Sequence, residues 1–344
     1  MIKVFCIVGP TGVGKTEVAI ELAKQFDLDI ISADSRQIYK YMDIGTAKPS
    51  SVVRDRVRFH LIDIITPDVL YSAADFARDA TKILEGYENS LIIPPSMGGK
   101  KREGAPSPNL PHQGGGIIKH RHLPILVGGS GLYLKALFEP FFSAPPRDLK
   151  LRRTLEKEPL DKLYERLKTV DPKSAQRIHS SDRQRIVRAL ELYQMTRKPL
   201  SEQIHGPSPE PKFSPYYIGL TLPRKLLNEK INQRFDKMIH PDLACKGGVD
   251  DGLVNEVKNL IKLGYSKDLN SLNAIGYQEI IRFLNQEISL MQAIYIAKNR
   301  SRQYAKRQMT WFKKVEGIKW IEYTDLKQTI QKVSQYYEKY LKIL

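Results

Sequence analysis

The chain has 344 residues, 41% of them hydrophobic, which is more than one average domain needs and enough to bury a full core. Lysine and arginine outnumber aspartate and glutamate by 55 to 38, and the formal charge of +17 favours a polyanionic partner over a neutral metabolite alone. Two cysteines, Cys6 and Cys245, make neither a disulfide framework nor a metal-ligand spacing. No apolar run approaches the roughly 20 residues that span a bilayer, and the first apolar run is too short for a signal peptide, so a reducing, cytoplasmic setting is expected.

The first element reads as a buried strand, Val4-Phe5-Cys6-Ile7-Val8, followed by a glycine loop and an amphipathic helix. Gly9, Gly14, Lys15 and Thr16, with Pro10, Thr11, Gly12 and Val13 between them, fit the phosphate-binding pattern G-x-x-x-x-G-K-[ST]. In such a loop backbone N–H groups turn inward around phosphate oxygens, the lysine reaches the terminal phosphate and the threonine hydroxyl can ligate Mg²⁺; the helix N-terminus adds its partial positive charge.

The next apolar run, "LDIISADSRQIY", brings the chain to Asp34. Neighbouring strands of a doubly wound sheet direct their carboxyl ends to one crevice, so Asp34 is expected to face the phosphates, where it could bind a metal or remove a proton. Asp-Ser is also good capping chemistry, the structural alternative at this position. A hydrolytic enzyme would add a second apolar strand ending in an acid that holds Mg²⁺. The best-formed later strand, "LPILVGGSGLY", ends instead in Gly128-Gly129-Ser130-Gly131, and "FHLIDI" offers Asp63 on a short strand. A phosphate cup without a clear hydrolytic apparatus suggests that something other than water attacks the bound ester.

Alternation of strands and helices up to about Pro140 predicts a parallel sheet with helices on both faces. From Pro145 to about Ile204 the pattern reads as helical throughout, "YYIGLTLPR" as a returning strand, and the rest as helices to the C-terminus. The expected division is 1–140, 141–204 and 205–344. Within it, 94–120 is rich in glycine and proline and has no period, so it reads as a disordered surface insertion despite its Gly98-Gly99-Lys100; 240–250 reads as a second, short one.

Taken in order, "GPTGVGKT", "ISADSRQIYKYMDIGTAKP", "HLIDI", "YSAADFARDA", "LPILVGGSGLYLKAL", "DRQRIVRALELYQMT", "AIGYQE" and "SRQYAKRQMTWF" closely resemble the bacterial tRNA dimethylallyltransferases. The resemblance implies a P-loop NTPase-like doubly wound sheet with an inserted helical domain. It further implies transfer of the dimethylallyl group from dimethylallyl diphosphate to N6 of the adenosine just 3′ of the tRNA anticodon. On that basis Gly9 to Thr16 and Arg234 hold diphosphate rather than ATP, and Lys15 and Mg²⁺ take up the charge on the leaving group. Asp34 is then the general base, and Ser130, where the family usually has threonine, keeps a hydroxyl for the target base or the diphosphate.

The same resemblance places the tRNA against Asp34, Ser35, Arg36, Gln37 and Ser130, and against Arg152, Gln184, Arg185, Ile186, Val187 and Arg188. The anticodon stem-loop is the expected partner and a monomer the expected state. In "KNRSRQYAKRQMTWFKK", Lys298, Arg302 and Lys306 recur at i, i+4, i+8, a basic face that suits phosphates, with Arg300 and Arg307 on another side and Tyr304 and Trp311 nearby. Two alternatives remain at this point: a P-loop kinase or NTPase, and an isopentenyltransferase acting on free adenine nucleotides.

Overall fold

A computed structural model describes residues 1–92, 123–140, 142, 144–145, 147–204, 210–240 and 252–343. The segment 94–120, with Gly98-Gly99-Lys100, and all of 240–250 except His240 lie outside the described residues. The chain divides into two compact units, one formed by Met1–Phe138 with Lys212–Leu344 and the other by Glu139–Pro211.

The first, a sheet unit, runs β1 (Ile2–Val8), α1 (Lys15–Phe26), β2 (Ile30–Ala33), α2 (Ser51–Arg54), β3 (Phe59–His60), α3 (Ala73–Ile92), β4 (Ile125–Gly128) and α4 (Gly131–Phe138). In the second, helical unit come α5 (Leu149–Lys157), α6 (Leu160–Val170), α7 (Pro172–Arg177), α8 (Arg183–Thr196) and α9 (Leu200–Gln203). The chain then rejoins the sheet unit with β5 (Phe213–Thr221), α10 (Arg224–Ile239), α11 (Leu253–Lys262), α12 (Tyr277–Leu284), α13 (Leu290–Phe312), β6 (Lys319–Glu322) and α14 (Leu326–Leu341).

Six parallel strands lie in the order β3-β2-β4-β1-β5-β6. Val4 to Val8 of β1 and all of β2 and β4 are buried, because both faces of these inner strands are covered; continuous apolar runs are what such strands require. Phe5, Ile7, Ile30, Ile125 and Ile218 join α1 residues Val18 and Leu22 in one core, each fully buried side chain contributing about 1.5–3 kcal/mol. Beyond the returning strand β5 the chain is not helical throughout, as its pattern suggested: β6 pairs with β5 at the sheet edge. Only Ile321 of its four residues is buried, so "KWIE" carries no apolar alternation by which to recognise a strand.

The helical unit is closed by Leu155, Leu163, Leu167, Ile186, Val187 and Leu190. Side chains of Asp148, Asp171 and Asp182 cap α5, α7 and α8 by accepting from backbone N–H groups of the first turn. No helix among the described residues is long and apolar enough to cross a membrane.

Candidate active site

The glycine loop joins the carboxyl end of β1 to α1, in the crevice where a parallel sheet presents its strand ends. Gly14 begins the helix at φ +103, a left-handed conformation, and a Cβ there would come within 2.7 Å of the Tyr323 ring. Glycine is therefore required twice over at this position, for conformation and for space. Thr11, Gly12, Gly14, Lys15 and Thr16 line a cavity of about 780 Å³, whereas Gly9, Pro10 and Val13 are not part of its lining. The Lys15 ammonium donates to the Pro10 carbonyl at 2.8 Å, which pins it within the loop. Burial lowers its pKa to about 7, against the opposing pull of Asp34 and with a smaller push from Arg234.

Arg234, on α10, reaches the same cavity and donates through Nη2 to the Thr11 hydroxyl at 2.8 Å. Its pKa is likewise lowered by burial, with Asp34 opposing. Lys230 and Lys237, one turn to either side of Arg234 on α10, also line the cavity, so this helix presents a basic stripe that the sequence reading reduced to one residue. Two half-buried cations, Lys15 and Arg234, thus converge with the glycine loop on a space able to hold an anion.

Asp34 follows β2 immediately and lines the same cavity. Its Oδ1 accepts from the backbone N–H of Arg36 at 2.8 Å and more weakly from that of Gln37 at 3.4 Å. Capping and chemistry are therefore not exclusive here: one carboxylate oxygen holds the Ser35–Gln37 turn, and Oδ2 is left for the cavity. The Ser130 hydroxyl accepts from the Ser35 N–H at 3.2 Å, which ties the Gly-Gly-Ser-Gly turn to the same segment, although Ser130 is not part of the lining. Arg36 donates to the carbonyls of Asn270 and Ser271 at 2.8 and 3.2 Å. Gln37, 9% exposed, accepts from Ser32 Oγ at 3.0 Å and donates to the Thr46 and Ala47 carbonyls, both at 3.3 Å.

That last loop is held in turn by Glu256, whose carboxylate accepts from the N–H groups of Asp43, Ile44 and Gly45 at 2.8, 2.6 and 3.1 Å and from the Tyr277 hydroxyl. Asp63, the other acid the sequence offered near a strand end, pairs with Lys48 and Arg54 and does not line the cavity. Among the described residues no three His, Cys, Asp or Glu side chains cluster to hold a metal. The donors present would fit Mg²⁺ carried on phosphate oxygens, which the Thr16 hydroxyl would help to hold, the usual manner in which this hard cation is bound at phosphate sites.

On α13 the face that meets the cavity is Arg300, Ser301, Tyr304, Arg307 and Gln308. The i, i+4, i+8 set read from the sequence faces elsewhere: Lys298 pairs with Asp236, Arg302 donates to Asn232 and Asn299, and Lys306 is exposed. Arg300 is itself occupied by Gln278 and the buried Glu279. The phenol of Tyr304 is pushed up to about 12, chiefly by burial and then by the charge of Asp34. Tyr304 is one of the aromatics the sequence places beside the basic residues, whereas Gln308 carries no signal as a site residue, since the helical period alone does not say which of several polar faces turns inward.

In the helical unit the expected tRNA contacts separate into three kinds. Gln184 and Arg185 are exposed on α8. Ile186 and Val187 are wholly buried in that unit's core, so the side chains this run presents to solvent are those of Gln184 and Arg185. A five-residue run on a helix covers more than one full turn, so at least one of its faces must point inward. Arg152 and Arg188 converge on Glu191, itself 0% exposed, at 3.5 and 2.9 Å, and Glu191 also accepts from the Asp148 N–H at 2.8 Å.

A family model described as IPP transferase matches residues 37–100 and 114–315. A protein of Geotalea daltonii named tRNA dimethylallyltransferase 2 is 42% identical over 328 residues, covering 94% of this chain and 88% of its own. A tRNA dimethylallyltransferase of Dictyoglomus turgidum is 42% identical over 322 residues, covering 92% and 86%. Among solved structures, the tRNA isopentenylpyrophosphate transferase of Bacillus halodurans is 33% identical with a TM-score of 0.65, covering 99% of this chain and 97% of that one. A eukaryotic dimethylallyltransferase acting on tRNA superposes with a TM-score of 0.70 at 26% identity, covering 98% and 78%.

Proposed function

The chain belongs to the IPP transferase family, and from that premise we propose that it transfers the dimethylallyl group of dimethylallyl diphosphate to N6 of the adenosine 3′ of the anticodon in tRNA, releasing diphosphate. The observation that carries the reading is one cavity lined together by the phosphate loop with Lys15, by Arg234 and by Asp34. Such a space suits an anionic leaving group and an amine nucleophile together.

An exocyclic adenine amine is a weak nucleophile because its lone pair is delocalised into the ring. The leaving group must therefore be stabilised and the nitrogen relieved of a proton. The allylic C–O bond breaks with its electron pair passing to the diphosphate, whose growing charge is met by Lys15, Arg234 and the loop N–H groups. The N6–C bond forms, and the N6 proton moves to Asp34 and then to water. Ser130, anchored by Ser35, offers its hydroxyl to the base or to the diphosphate. Mg²⁺ bound at Thr16 would add Lewis-acid stabilisation of the leaving oxygen.

Access to one adenine requires flanking bases to be drawn apart, as in other chemistry on a nucleobase. The Asp34–Gln37 turn faces the target nucleotide in this reading, and Gln184 and Arg185 offer exposed polar contacts to the anticodon stem-loop. In this reading the enzyme acts on tRNA in the cytoplasm as a monomer. Unmodified tRNA, AMP and ATP are each to be incubated with the enzyme and dimethylallyl diphosphate, and the nucleosides read by mass spectrometry. Dimethylallyl adenosine from the tRNA arm is expected; product only from AMP, or ATP hydrolysis without transfer, overturns the reading. Asp34→Ala should lower transfer about 10²–10⁴-fold while sparing diphosphate binding.

A further inference from the structure

We infer that Gln308 is a positioning residue that sets the separation between the diphosphate cup and the turn carrying Ser130. The inference rests on the reading that one cavity receives both substrates. Gln308 is 7% exposed on α13 and lines that cavity. Its Oε1 accepts from the backbone N–H of Thr11 at 2.8 Å, and its Nε2 donates to the Gly129 carbonyl at 2.9 Å. One planar amide therefore bridges two loops. Only a carboxamide supplies a donor and an acceptor side by side in one rigid group; a carboxylate would set oxygen against the Gly129 carbonyl, and an ammonium could not accept from Thr11.

The place of this bridge is set by the sheet. Strands β1 and β4 pair as far as Val8 and Gly128, where their ladder ends. Immediately beyond, the two chains diverge, one into the phosphate loop and one into the Gly-Gly-Ser-Gly turn, and Gln308 spans them. The turn is pressed onto α13: a Cβ at Gly129 would lie 2.3 Å from Gln308 Nε2, and one at Gly131 would lie 2.4 Å from the Trp311 ring. That contact is the physical reason for glycine on both sides of Ser130.

From the bridge the connection continues in both directions. Thr11 accepts through its hydroxyl from Arg234 at 2.8 Å, and Ser130 accepts from the N–H of Ser35, next to Asp34, at 3.2 Å. Arg234, Thr11, Gln308, the Gly129–Ser130 turn and Ser35 thus form one hydrogen-bonded series from the anion cup to the carboxylate. Displacement at carbon is steep in the distance between nucleophile and leaving group, and a misplacement of about 1 Å costs on the order of 100-fold. Gln308 touches neither reacting atom in this account; it acts through Thr11 and Gly129.

The test replaces Gln308 by methionine, which keeps the volume and removes both bonds, and by glutamate, which keeps the acceptor for Thr11 and loses the donor to Gly129. Steady-state transfer to tRNA, direct binding of dimethylallyl diphosphate and thermal unfolding are measured for both variants and for wild type. For Gln308→Met the expected result is kcat lower by on the order of 100-fold, with KM for both substrates and the unfolding midpoint close to wild type. A smaller loss of the same kind is expected for Gln308→Glu. Wild-type kcat in both folded variants would overturn the inference, as would a loss expressed wholly in KM for dimethylallyl diphosphate or one that follows the fraction unfolded. If Gln308→Met does not fold, the Gln308→Glu result decides. Absence of transfer by the wild-type enzyme would instead count against the proposed function, so the two failures are distinct.

Discussion

Arg234 in the sheet unit and Arg152 with Arg188 in the helical unit carry the same guanidinium in opposite electrostatic settings. Arg234 has a hydroxyl for a partner and, among the described residues, no carboxylate within ion-pair distance; its charge is destabilised by burial and only partly supported by Asp34. Arg152 and Arg188 share the fully buried Glu191, which also takes a backbone N–H. The difference separates an arginine held ready for an anion that arrives later from a pair whose anion is already in the fold. Burying an unpaired cation is costly, so a fold retains one where a ligand repays it. An Arg–Glu–Arg cluster, by contrast, is explained by the internal pairing of its own charges.

The largest effect should come from breaking the paired cluster. Glu191→Ala takes from Arg188 and Arg152 their common carboxylate and leaves Arg152 only the surface Glu156, and the expected loss of stability is about 3–5 kcal/mol. Urea unfolding with chemical shift or fluorescence probes in the helical unit would measure it; a loss below about 1 kcal/mol would mean that the pair is solvated and that Arg188 is free for RNA. Arg234→Met should do the reverse. Stability is expected to hold or rise, because a buried charge is removed, while dimethylallyl diphosphate binds about 10–150-fold more weakly, the equivalent of a charge-assisted hydrogen bond of about 1.5–3 kcal/mol. Unchanged affinity in calorimetry would remove Arg234 from the anion cup.

The same contrast explains what could be read from the sequence. The phosphate loop, Thr16 and Asp34 lie within one strand–loop–helix–strand unit, where local pattern and the rule that strand ends share a crevice are sufficient. Gln308 lies 297 residues from Thr11, and nothing local marks it. The buried stripe of α13 is Ala293, Ala297, Ser301, Ala305, Gln308 and Phe312. Because most of it is small or polar, the helix shows no apolar face by which to orient it, and the basic i, i+4, i+8 set was the more visible signal. Ile186 and Val187 show the same limit from the other side: a contiguous motif does not reveal that a helix divides its run between solvent and core. The strand β6 was invisible for want of a second buried residue.

A third consequence concerns pH. Lys15 has its pKa lowered to about 7 in the free protein, mainly by burial. A diphosphate beside it favours the charged form and raises that pKa. Affinity is therefore fully present below pH 7, and above it binding must take up a proton, so affinity falls by up to about tenfold per pH unit until the bound-state pKa is reached. Calorimetry at pH 8 in buffers of different ionisation enthalpy should register proton uptake on binding, and Lys15→Ala should abolish the uptake. A flat pH profile from 6 to 9 would mean that Lys15 is not the group that answers the ligand's charge.

The smallest expected effect lies at Arg185, which tests the helical unit without disturbing it. Its side chain is 73% exposed and sits 3.4 Å from Asp182, a surface pair worth about 0–1 kcal/mol at most. Arg185→Ala should leave unfolding within about 0.5 kcal/mol of wild type. If Arg185 meets a tRNA phosphate, the variant binds all tRNA substrates more weakly by a similar factor, and the slope of log affinity against log salt becomes shallower by about 1. Arg188→Ala cannot give so clean an answer, since it also strips a partner from Glu191. An unchanged salt slope in Arg185→Ala would therefore remove Arg185 from the phosphate contacts.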